Sequence, residues 1–104
     1  MKAIINGKRY DTKTAELIHE WSNGKYTNDF GYREKVLYRT KAGSWFLYHC
    51  GGALTDMAKS AGSNSTTGSE SIETVTPDEA FRFLCEYGGE DTAEEWFGDK
   101  IQEA

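Results

Sequence analysis

The sequence predicts an α+β domain: an antiparallel sheet built from two β-hairpins plus one strand, with about three short helices packed on it. Three observations carry this expectation. Asn6-Gly7 sits between the apolar run Ala3-Ile4-Ile5 and Lys8-Arg9-Tyr10, and Asn-Gly is the strongest two-residue hairpin signal. Two strand-like runs, Glu34 to Thr40 and Trp45 to Cys50, flank the turn Lys41-Ala42-Gly43-Ser44. Thr76-Pro77-Asp78-Glu79 combines an N-cap threonine, a proline at the first helical position and a glutamate placed to close a capping box.

The remaining elements follow in order. Asp11 or Thr12 can cap a short helix that carries Leu17, Ile18 and Trp21 on one face and ends at Asn23-Gly24. Residues 25–33 read as an irregular connection rich in aromatics. The unbroken run Trp45-Phe46-Leu47-Tyr48 predicts a strand covered on both faces. Leu54 to Ser60 reads as one helical turn, and the Ser/Thr/Gly-rich stretch over 60–70 as a flexible surface loop. Ser71 to Val75 alternates like a strand. The helix opened by Thr76 runs to Tyr87, with Phe81, Leu84 and Cys85 on one face, and Gly88-Gly89 stops it. Asp91 or Thr92 caps a last helix whose apolar residues are Trp96, Phe97 and Ile101, with Gly98 as a weak point. A chain of 104 residues fits a single domain, 1–104.

Charge divides the chain. Residues 1–69 hold ten Lys/Arg against six Asp/Glu, a balance of +4, and residues 70–104 hold two against eleven, a balance of −9. The acidic end is suited to a basic surface, including one that normally holds nucleic acid. No apolar run approaches the ~20 residues that span a bilayer, and the start lacks the apolar stretch of a signal peptide. The expectation is a cytoplasmic protein with no membrane partner, in which Cys50 and Cys85 are free thiols or ligands.

Three kinds of chemistry compete for the conspicuous residues. His19, His49, Cys50 and Cys85 are the soft or nitrogen donors from which a zinc site would be drawn, although no close C-x-x-C pair presents them. Adjacent residues of a strand point to opposite faces, so His49 and Cys50 converge only if Gly51-Gly52 breaks the strand. Cys50 as a nucleophile would use the glycine amides as an oxyanion hole and needs a histidine base. Nucleic-acid binding is the alternative for Lys2, Lys8, Arg9, Lys13, Lys25, Arg33, Lys35, Arg39 and Lys41, interleaved with Tyr10, Tyr26, Tyr32 and Tyr38. The sequence pI near 5.0 weighs against a strong phosphate binder. G-x-S-x-G, P-loop, dinucleotide and H-E-x-x-H motifs are absent.

Ile5-Asn6-Gly7-Lys8-Arg9-Tyr10-Asp11-Thr12, Leu37-Tyr38-Arg39-Thr40-Lys41 with Gly43 and Trp45-Phe46-Leu47, and Gly51-Gly52 carry a resemblance. They are similar to a group of small uncharacterised proteins carried by phages, plasmids and integrative elements of bacteria. The similarity runs from the first hairpin to Phe97-Gly98. That background includes anti-CRISPR proteins, which bind a CRISPR effector and block its DNA loading or cleavage. The resemblance therefore implies a non-enzymatic inhibitor inside a bacterial host cell, with a CRISPR effector protein or ribonucleoprotein as partner. Charge concentration selects Glu90, Asp91, Glu94, Glu95, Asp99 and Glu103 as the docking face, with Trp96 or Phe97 as aromatic anchor.

Overall fold

The computed structural model describes residues 1–26, 28–60 and 66–104. The Asn-Gly hairpin forms as the sequence dictates. Strands β1 (Lys2–Ile5) and β2 (Lys8–Asp11) pair antiparallel, and Asn6 and Gly7 take φ of 52° and 75°, the two positive values a type I′ turn demands. This hairpin is a two-stranded sheet of its own, and a second sheet holds the core.

The helix expected from Asp11 to Gly24 is instead a strand, β3 (Glu16–Ser22). A register shift between Leu17 and His19 inserts an extra residue. The bulge puts Ile18 and Trp21, three apart, against the same core, and a strand so interrupted imitates the i, i+3 spacing of a helix. Strands β4 (Arg33–Arg39) and β5 (Trp45–Gly51) form the central hairpin. Between them Gly43, at φ 93°, turns the chain. Two short strands, β6 (Lys59–Ser60) and β7 (Thr66–Thr67), pair with each other where a helical turn and then a loop were expected, and residues 61–65 of that loop lie outside the described residues. Strand β8 (Ser69–Val75) completes an all-antiparallel order β3-β4-β5-β8.

Two helices follow rather than three packed on the sheet. Helix α1 (Pro77–Glu86) has the full capping box: Thr76 Oγ1 accepts from the Glu79 N–H at 3.1 Å, and Glu79 Oε1 accepts from the Thr76 N–H at 2.9 Å. Its buried face is Ala80, Phe83 and Leu84, so Cys85 falls one position outside it and is exposed. Helix α2 (Glu90–Phe97) starts from Gly89 without a side-chain cap, not from Asp91 or Thr92. It runs into a 3-10 turn (Gly98–Lys100), which leaves Ile101 beyond the helix and 41% exposed.

Alternation along the strands sorts the side chains. Trp45 and Leu47 of β5, with Leu37 of β4, meet Ala80, Phe83, Leu84, Ala93 and Phe97 in one buried cluster beneath the helices. Phe46 points the other way and is fully buried under Tyr10 of the first hairpin, edge-on at 5.6 Å, and Tyr38, stacked at 5.2 Å. The aromatic run is thus covered on both faces, through two different layers.

Candidate functional site

The four expected zinc donors do not meet. His49 is on the helix-covered face of the sheet and Cys50 on the other, because β5 stays regular through Gly51. Each imidazole is already engaged. His19 Nε2 donates to the Tyr87 carbonyl at 2.8 Å. Arg33 Nη2 donates to His49 Nδ1 at 2.8 Å, and His49 Nε2 donates to Glu73 Oε1 at 2.9 Å. A guanidinium has no acceptor, so this network selects the Nε2–H tautomer of His49. Cys85 is exposed on α1. Among the described residues, no three His, Cys, Asp or Glu side chains gather around a point that a metal ion could occupy. The zinc quartet is therefore replaced by four separate environments.

The oxyanion hole drawn around Gly51-Gly52 is also otherwise occupied. The Gly52 N–H donates to the Tyr32 carbonyl at 2.9 Å, and the Leu54 N–H donates to the Phe30 carbonyl at 2.8 Å. The glycines serve a crossing of three chain segments. A Cβ on Gly52 would strike the Phe30 carbonyl, one on Gly68 the Gly51 carbonyl, and one on Gly51 the Thr55 and Met57 side chains.

Arg33 was assigned by sequence only to a basic set, but among the described residues it is the buried charge, 9% exposed. Its Nε donates to Asp56 Oδ1 at 2.7 Å, its Nη2 to Asp56 Oδ2 at 3.2 Å, and its Nη1 to the Glu34 carbonyl at 2.7 Å. Arg33 thereby holds the Asp56 carboxyl below the usual carboxylate range. The other bases of β4 are also occupied beneath the helices. Lys35 Nζ donates to the Tyr87 hydroxyl at 2.7 Å, and the Arg39 guanidinium lies 5.2 Å from the Trp96 ring and 5.7 Å from the Trp45 ring.

The opposite face of the sheet has the opposite character. Glu20 of β3, Glu34 of β4 and Glu70 of β8 share it with Tyr38 and Tyr48, and the strand positions of this face include no Lys or Arg. Tyr32 donates to Glu34 Oε2 at 2.9 Å, and Tyr48 donates to Glu70 Oε2 at 2.5 Å. Burial, then the bond to Glu34, pushes the Tyr32 phenol up to about 12. Burial and the Glu70 bond push Tyr48 up as well, and burial with the charges of Glu34 and Glu20 raises Tyr38. The signal for this sorting is the period-two pattern Arg33, Lys35, Leu37, Arg39 against Glu34, Val36, Tyr38.

The C-terminal carboxylates stand apart from this face. Glu90, Asp91, Glu94, Glu95, Asp99 and Glu103 are all exposed, and among the described residues none has a cationic side chain at ion-pair distance. Of the aromatic residues beside them, Phe97 is turned inward. Phe97 is 6% exposed and packs 5.2 Å from Trp45 and 5.7 Å from Phe81. Trp96 is half-buried, edge-on to Trp45. Of the exposed large apolar side chains, Tyr26, Phe30 and Leu54 belong to the connections at the β4–β5 end where Gly52 sits, while Met1, Ile4, Leu17 and Ile101 lie elsewhere. No helix is long and apolar enough to cross a membrane among the described residues. Comparison of the chain with protein-family models, with curated proteins and with solved structures finds no match.

Proposed function

We propose that this protein is a non-enzymatic binding protein that docks on an RNA-guided CRISPR effector and blocks its DNA loading or cleavage. The class of partner comes from the resemblance carried by the first hairpin, the β4–β5 hairpin and Gly51-Gly52. The observation that carries the binding mode is the sorting of charge. Arg33 is engaged by Asp56 and His49, and Lys35 and Arg39 are engaged beneath the helices, while the carboxylates of α2 and its 3-10 turn project outward unpaired among the described residues. RNA-guided nucleases hold guide and target in positively charged channels, which is the surface such carboxylates complement. Phe97 is buried in the core, so the docking at this face is chiefly electrostatic, with the half-buried Trp96 as the aromatic left at its edge.

The test is a cleavage assay over a panel of purified effectors with increasing amounts of the protein. The expected result is complete inhibition of one effector at about one protein per ribonucleoprotein. The triple substitution Glu94→Lys, Glu95→Lys, Asp99→Lys weakens the inhibition by about tenfold or more, and raising the salt weakens the unsubstituted protein in the same way. Cleavage unaffected across the panel rejects the effector as partner. Inhibition at trace amounts rejects a binding mechanism. Inhibition unchanged by the triple substitution rejects α2 as the face.

A further inference from the structure

Glu73, His49, Arg33 and Asp56 form one chain of hydrogen bonds. Glu73 of β8 accepts from His49 of β5, His49 accepts from Arg33 of β4, and Arg33 donates to Asp56 in the connection that follows β5. Three strands are thereby tied to residues 52–57, the stretch whose amides bond to the carbonyls of Phe30 and Tyr32.

This chain holds only while His49 is neutral. Its Nδ1 accepts from Arg33 Nη2, and a protonated imidazole carries hydrogen on both nitrogens. Protonation would set two donors and two positive charges face to face at 2.8 Å. The other charged groups around His49 are Lys35 of β4, whose ammonium donates to the Tyr87 hydroxyl, Glu73, already on Nε2, and Glu79, Arg82 and Glu86 of α1, which line the same cleft. The group in contact with Nδ1 is the cation Arg33. Its Nη1 is also fixed on the Glu34 carbonyl at 2.7 Å, whereas the side chain of Asp56 is 70% exposed and sits on a connection that can move. Arg33 holds the Asp56 carboxyl below the usual carboxylate range, so Asp56 is still ionised where imidazoles titrate. His19 differs in kind. Its Nε2–H donates to the Tyr87 carbonyl, a bond that survives protonation of the ring.

We propose that His49 is a proton-operated latch: protonation expels the Arg33 guanidinium from the imidazole and releases the 52–57 connection, with its exposed Leu54, from the sheet. This goes beyond the docking of the acidic helix, because it uses none of the α2 carboxylates.

NMR titration of the full chain from about pH 8 to about pH 5, the interval in which imidazoles ordinarily change charge, tests it. Imidazole nitrogen shifts are expected to show the Nε2–H tautomer of His49 at the upper end and the imidazolium at the lower. The Arg33 Nε–H and the amides of Leu54, Asp56 and Met57 shift with the same midpoint. Hydrogen exchange at the Leu54 and Ala58 amides, corrected for its intrinsic pH dependence, becomes faster by about tenfold or more across the transition. His49→Gln removes this response, since its carboxamide can accept from Arg33 and donate to Glu73 at every pH, and His19→Gln leaves it in place. Two results on the unsubstituted chain overturn the proposal: a His49 still neutral at about pH 5, or a His49 that titrates with no response in Arg33 and residues 52–57. A response that keeps its midpoint in His49→Gln overturns it as well.

Discussion

Gly52 shows how a residue that looks chemical can be wholly mechanical. Its amide is spent on the Tyr32 carbonyl, and its missing side chain is what lets the segment around Phe30 cross β5. The obstacle to a Cβ there is backbone, which cannot swing aside. Gly52→Ala is therefore expected to cost about 1–3 kcal/mol, read from denaturant unfolding. Gly51→Ala should cost a similar amount, because its neighbours, Met57 Cβ and the hydrogen-bonded Thr55 Oγ1, sit close to the backbone. The phenols on the sheet face away from the helices give a second residue-scale expectation. A folded-state pKa raised above the unfolded value near 10 means a contribution to stability that is complete below about pH 10 and lost as pH rises through the folded value. For Tyr32 that value is about 12. Absorbance titration of the phenolates should find Tyr32 protonated at about pH 11, and Glu34→Gln should bring its ionisation to lower pH. A Tyr32 that ionises equally in both proteins would show that Glu34 does not act on it.

At the level of elements, α1 carries the clearest local determinant. Thr76→Ala removes one half of the capping box and is expected to cost about 1 kcal/mol in global unfolding, whereas Thr76→Ser should cost little. This helix, the first hairpin and the β4–β5 hairpin were legible in the sequence because each is specified locally: a cap, an Asn-Gly pair, a glycine turn between alternating runs. Strand β3 was not legible. Its helical look comes from a bulge whose existence depends on what β4 requires of it, and nothing within residues 16–22 states that requirement. The same limit applied to the candidate site. The opposite orientation of His49 and Cys50 follows from strand geometry alone, while the partners that engage His49 lie 16 and 24 residues away. The burial of Phe97 was likewise hidden, because its contacts with Trp45 join elements far apart in the chain.

For the whole molecule, the dimensions of 52 × 35 × 18 Å and a radius of gyration of 15.3 Å describe a slab. A spherical-type packing of about 100 residues would give about 13 Å. A slab exposes more surface for its mass, and here the surfaces differ: carboxylates and phenols on the sheet face away from the helices, carboxylates on α2. The larger buried cluster lies between the sheet and the helices. Leu84 is fully buried and joins the helices to the sheet, so Leu84→Ala is expected to cost about 2–5 kcal/mol. Tryptophan fluorescence and far-ultraviolet circular dichroism should report coincident transitions for both proteins, since Trp45 shares the cluster that holds both layers together. Separated transitions would mean that the helices and the sheet unfold independently.

The bulge in β3 has a consequence for self-association. An edge strand with a regular row of backbone groups is a template on which another chain can add. Here the two edges of the main sheet are unequal: β3 is interrupted between Leu17 and His19, and β8 pairs with β5 in unbroken register over its full length. Strand addition between copies is thus directional. A pair joined through two β8 strands would have eight strands and a bulged β3 at each end, an arrangement that disfavours further addition.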